Sequence, residues 1–178
     1  MGSGAAARYH SAVVGLTRAF GVFSALSAVL LALDWRLRRA GGRGIVALEW
    51  AGSPERADAI LRRWGTAGRR AALASLVLEY GYAVSFTVLL MAARRRFAPA
   101  STTTPSASLA LVAGTLDGLQ TTALLFVLGG RRGRWPTIAR WSSFVKFGVI
   151  GLDVTLLAAD ARRERRAVVA ASSGARDS

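Results

Sequence analysis

Four stretches of the chain are apolar over long, nearly unbroken runs, and charged clusters sit at their ends. They run from about Ser11 to Leu33, Ala71 to Ala93, Ala107 to Gly129 and Ile138 to Ala159. Crossing ~30 Å of hydrocarbon takes about 20 residues at 1.5 Å rise each, so the pattern predicts four transmembrane helices. The expected fold is all-α: a polytopic membrane protein built as a four-transmembrane-helix bundle, one domain over residues 1–162. An Arg-rich tail over 163–178 is expected to be disordered.

The first run contains Arg18, which lies within two turns of one end and can reach the interface by snorkelling. A signal peptide is the competing reading of this run. No small-x-small site precedes a polar region, and Asp34-Trp35-Arg36 follows at once, so an uncleaved first span is expected. Gly21, Ser24 and Ser27 form a small-residue stripe suited to close helix packing, as does Gly114-x-x-x-Gly118 in span three.

The longest loop runs from Asp34 to Arg70. Within it, Ser53-Pro54-Glu55 reads as a helix start, with Ser53 as N-cap and Pro54 at the first helical position. Gly65 is placed to stop that helix. Ala57, Ile60, Leu61 and Trp64 share one face, so the segment over 54–64 is a short amphipathic helix. It is expected to lie at the membrane interface, or to cap the bundle through the same face. Phe97 to Ser108 is a Pro/Ser/Thr connector.

Composition narrows the function classes. The chain is 52% hydrophobic yet carries a net charge of +14. Its arginines cluster at the ends of apolar runs, at 36–39, 94–96, 131–134 and 162–166, which is the pattern of loops flanking spans and not that of a nucleic-acid-binding face. There is no cysteine and one histidine, His10, so neither a thiolate site nor a multi-histidine metal site is expected, and no cofactor. The Ala/Gly/Arg bias points to a bacterial protein, and with four spans to the bacterial cytoplasmic membrane. All five tryptophans (35, 50, 64, 135 and 141) lie in or beside the 34–70 and 130–137 loops, as a one-sided aromatic belt would. Twelve arginines on that side against nine on the other lean toward a cytoplasmic tryptophan side.

The candidate chemistry lies in charges within the spans: Glu79 in span two, Asp117 with Gln120 in span three, and Lys146 with Asp153 in span four. A formal charge in hydrocarbon costs at least ~2.5–3.5 kcal/mol, so each needs a partner or a purpose. Counted inward from the tryptophan side, Glu79, Asp117, Gln120 and Lys146 all fall roughly 12–18 Å deep and can meet at one level. Asp153 is on the same helical face as Lys146 but nearer the other surface. Three readings fit. Lys146 pairs with Glu79 or Asp117 as a structural staple, with Gln120 and the tyrosines satisfying the rest. Alternatively, Glu79, Tyr80, Tyr82, Asp117, Gln120, Thr121, Lys146 and Asp153 line a site that binds or carries a small lipophilic ligand or a proton. In the third, Glu79 or Asp117 is a catalytic general acid on an isoprenoid-like substrate, with Tyr80, Tyr82 and Phe126 offering π-faces to a developing cation. The expected partners are the lipid bilayer, such a ligand, and a second copy of the chain, because four short helices make a thin bundle.

Around these residues the chain resembles a group of small bacterial four-helix membrane proteins. Their pattern is an Asp-aromatic motif with Tyr in span two, Asp-x-x-Glu-Asn in span three and Lys in span four. The matching positions are Glu79-Tyr80-Gly81-Tyr82, Asp117-Gly118-Leu119-Gln120-Thr121 and Lys146, and the likeness extends over spans two to four and the Trp64-Gly65 helix end. Glu79 stands for Asp, Gln120 for Glu and Thr121 for Asn. The resemblance implies the architecture and brings no activity with it.

Overall fold

A computed structural model describes residues 3–97, 106–131 and 133–174. It contains five helices and no strand among the described residues: α1 (Ser3–Gly41), α2 (Ile45–Glu49), α3 (Pro54–Phe97), α4 (Ser106–Leu128) and α5 (Trp135–Gly174). The two long helices at the chain ends outrun their apolar runs because nothing in the flanking sequence breaks them. In α1 the run stops at Leu33, but Asp34 to Arg39 contains no Gly or Pro, and the helix ends only before Gly42 at φ +72°. There the Gly42 N–H donates to the Arg38 carbonyl at 2.7 Å. In α5 the helix continues to Gly174, so most of the tail expected to be disordered is helical; residues 175–178 lie outside the described residues, as does most of the Pro/Ser/Thr connector.

The helices pack in a row, α1 on α3, α3 on α4 and α4 on α5, with a lighter contact between α3 and α5. Four helices are long and apolar enough to cross a membrane. Large apolar side chains face outward on these helices, and several polar and charged ones face inward beside the apolar core. Phe20, Leu31, Val84, Trp141 and Phe147 are more than half exposed. Ser75, Thr87, Arg94, Asp117, Gln120, Lys146 and Asp153 are buried. Several buried hydroxyls return their hydrogen bonds to their own helix, Thr87 to the Ala83 carbonyl (2.8 Å) and Ser143 to the Ala139 carbonyl (3.0 Å), which satisfies them without a partner helix.

The helix start at Ser53 forms as expected, its hydroxyl accepting from the Arg56 N–H at 3.4 Å. Gly65 interrupts α3 with φ 60° and ψ −162°, a conformation essentially reserved for glycine, and turns residues 54–64 away from the rest of α3. Of the two roles open to this segment, the structure shows the cap. Its apolar face, Ala57, Ile60, Leu61 and Trp64, is buried in one cluster with Leu37, Leu48, Leu76, Leu124 and Val127. The segment caps the bundle, because the α1–α2 turn and the upper ends of α3 and α4 offer that face a complementary apolar surface. Trp64 is therefore a core residue at 2% exposure; its indole N–H donates to the Arg43 carbonyl at 2.8 Å.

The small-residue stripes divide. A Cβ at Gly114 would approach Thr87 Oγ1 to 2.5 Å, so this glycine lets α4 come close to α3. Gly118 and Gly21 face open space, and Ser24 is exposed, so neither the second half of Gly-x-x-x-Gly nor the start of the α1 stripe lies at a helix contact.

Candidate functional site

The cap builds one end of a site. After α1, the chain reverses through Gly42 to Gly44 and enters α2, which is held to α1 by Asp34. One oxygen of the Asp34 carboxylate accepts from the Ile45 N–H (2.7 Å) and the other from Arg38 Nε (2.7 Å). Gly44 is required at this turn, since a Cβ there would run into the Asp34 carboxylate. The last residue of α2, Glu49, is thereby pressed into the bundle and is 6% exposed.

Below Glu49 lies a cavity of about 580 Å³, walled by the second half of α1, by α2, and by the middles of α3, α4 and α5. Its carboxylate and cationic lining is Asp34 and Arg38 from α1, Glu49 from α2, Glu79 from α3, Asp117 from α4 and Lys146 from α5. Its apolar wall includes Leu30, Tyr82, Phe86, Phe147 and Ile150. The Tyr82 and Phe86 rings are nearly parallel at 6.4 Å, and Phe23 packs on Tyr82 at 5.2 Å. The volume falls in the ordinary range for a small-molecule site, about 300–1,000 Å³.

Within this wall Lys146 forms a buried ion pair with Asp117. Of the two partners open to the lysine, Asp117 is the one it takes. Glu79 instead accepts a hydrogen bond from the Thr121 hydroxyl at 3.3 Å. Lys146 still attracts Glu79 and Glu49 electrostatically, while Asp117 and the two glutamates repel one another. Burial pushes the Glu49 carboxyl above its ordinary range, with Asp117 and Asp34 adding to the rise and Lys146 and Gln120 opposing it. Gln120 is fully buried, and both ends of its amide lack a partner within hydrogen-bonding geometry among the described residues, although it sits close enough to Glu49 to favour the charged form.

The remaining sequence candidates lie elsewhere. The Tyr80 hydroxyl shares a hydrogen bond of 2.7 Å with Thr122 on the flank of α3 and α4, and Tyr80 is not part of the cavity wall. Phe126 packs on Trp135 (4.4 Å) under the Arg131 guanidinium and offers no face to the site. Asp153 is separated from Lys146 by two turns of α5 and is bound to Arg94: Arg94 Nε donates to Asp153 Oδ1 at 3.0 Å and an Nη2 hydrogen to the Asp153 carbonyl at 3.2 Å. Arg94 is 6% exposed, so it is not the loop charge its neighbours Arg95 and Arg96 had implied. An arginine at a span end snorkels outward unless a carboxylate one span away is level with it, and that depends on how the helices are staggered.

Glu49, Asp34 and Arg38 are the charged cavity residues that sequence reasoning missed. The signal available was weak: Ile45 to Glu49 is too short for an amphipathic period to show, and a glutamate in a loop reads as solvated. The chain matches no protein-family model, no curated protein and no solved structure.

Proposed function

We propose that the chain is a multi-pass protein of the bacterial cytoplasmic membrane whose cavity binds or carries a small ligand or a proton. The observation that supports this reading is a charge imbalance inside a space of ligand size. The cavity wall holds two more carboxylates than cations, and both cations are already engaged, Arg38 with Asp34 and Lys146 with Asp117. Glu49 and Glu79 remain. A purely structural network would be expected to end with its charges paired, because an unpaired buried charge is costly. The large apolar side chains facing outward on four span-length helices, with ionisable groups within the bundle, support the membrane setting.

The structural reading keeps its force for Asp117–Lys146 and Arg94–Asp153, and a double-mutant cycle separates the two roles. Asp117→Asn and Lys146→Met, unfolded thermally in detergent, are each expected to destabilise the protein by about 3–5 kcal/mol, since either removes the ion-pair partner of a buried charge. The double variant is expected to recover most of that loss. Glu49→Gln and Glu79→Gln, by contrast, are expected to leave stability unchanged or raise it, because each removes a carboxylate without a cation of its own. Loss of stability in these two comparable with that of Asp117→Asn overturns the ligand reading and makes all four residues a staple.

A further inference from the structure

The cavity's charge and shape carry the ligand reading one step further, to the chemical class of the ligand. Among the described residues an anion has no free cation in the cavity wall to meet, because Arg38 and Lys146 are each held by a carboxylate. A neutral ligand leaves Glu49 and Glu79 to be neutralised by protons alone. A cation answers both conditions. The buried Gln120 amide, which is not part of the cavity wall, lies behind Glu49 and favours its charged form. The opposite wall is apolar and aromatic, and rings in such a position attract cations through their π-faces while covering an apolar body.

We propose that the occupant is a lipophilic cation, an amine or onium group held at Glu49 and Glu79, with its apolar body against Tyr82, Phe86 and Phe147. The proposal rests on the cavity being a small-ligand site. It implies exchange: the cation takes the place of protons that otherwise neutralise the two glutamates. Every ionisable group facing them enters that balance, namely Asp34 and Arg38 of α1, Tyr82 on α3, Asp117 of α4 and Lys146 of α5. Asp34 is paired with Arg38 and Asp117 with Lys146, so the cation is left to Glu49 and Glu79.

A pair of probes with one shape and opposite charge tests this: tetraphenylphosphonium and tetraphenylborate, in equilibrium dialysis against the detergent-solubilised full chain, with neutral triphenylmethane alongside. Saturable binding of the phosphonium alone is expected, tightening about tenfold from about pH 6 to about pH 8 as protons cease to compete. Glu49→Gln and Glu79→Gln are each expected to weaken it about tenfold or more, and Glu79→Asp to retain it. The pH arm needs only the wild-type protein, so a variant that fails to fold does not remove the test. Binding of the borate or the neutral probe as tight as that of the phosphonium overturns the cation class while leaving a ligand site standing. Phosphonium binding indifferent to pH and to both Gln variants overturns the assignment to Glu49 and Glu79. If none of the three probes saturates the protein, the proposal falls, and the ligand reading falls with it when the Gln variants are also destabilised.

Discussion

Glu49 shows how a single short element changes the chemistry of the site. On α2 it is delivered into the bundle from outside the long helices, and burial raises its carboxyl above the ordinary value of 4.5. The linkage has a definite sign. A raised folded value means that the folded state holds a proton the unfolded chain has lost, so stability falls as pH rises from about 4.5 until the folded carboxyl itself ionises. Thermal unfolding in detergent at pH values across that window is expected to show this slope in the wild type, up to ~1.4 kcal/mol per pH unit for the one group. In Glu49→Gln the slope is expected to shrink; an unchanged slope assigns the proton to another residue. Thr121 acts at the same scale through one hydroxyl that holds Glu79 at the cavity wall.

At the scale of elements, the kink at Gly65 decides where the first loop goes. Without it, residues 54–64 would continue the axis of α3 and leave Leu37, Leu48 and Leu76 uncovered. A Cβ at Gly65 meets nothing within 4 Å, so crowding is not the constraint. The constraint is the backbone: φ 60° with ψ −162° is costly for any residue with a Cβ. Gly65→Ala is therefore expected to destabilise the protein by about 1–3 kcal/mol despite the open space, measured by denaturation in detergent. A neutral outcome would mean that the cap tolerates a different exit angle. Trp64 secures the same junction through its packing and its hydrogen bond to Arg43, which joins the cap to the turn that presents α2.

At the scale of the whole molecule, the row α1–α3–α4–α5 leaves the cavity between the outer helices with α2 above it, and the proposed membrane setting adds a sidedness. The 34–70 and 130–137 loops are expected on one side, and the 94–106 loop on the other. The chain has no cysteine, so single cysteines report position without background. Ser53→Cys and Gly130→Cys are expected to react with a membrane-impermeant maleimide from the same side of sealed vesicles, and Thr103→Cys from the opposite side. Labelling of all three from one side rules out the four-span arrangement. The Arg94–Asp153 pair lies nearer the C-terminal end of α3 than the level of the Asp117–Lys146 pair, so α5 carries two separate charge contacts, each to a different helix.

By itself the sequence determined the number and approximate placement of the long helices, because hydropathy over some twenty residues and the arginines that bound it are local properties. It also located Glu79, Asp117 and Lys146 at a shared level, since helical rise converts residue counts directly into depth. Partner choice was decided by tertiary structure. Helix rotation and stagger put Asp117 against Lys146, Asp153 against Arg94, and Tyr80 and Phe126 outside the cavity, and no spacing along one helix encodes its rotation relative to the next. The role of residues 54–64 was open in the same way, because an amphipathic face is equally suited to lipid and to a bundle end until the surface opposite it exists. Glu49 is the furthest from what local pattern can show: a loop carboxylate becomes a wall of the cavity only once Asp34, Gly44 and Trp64 have folded the loop back onto the helices.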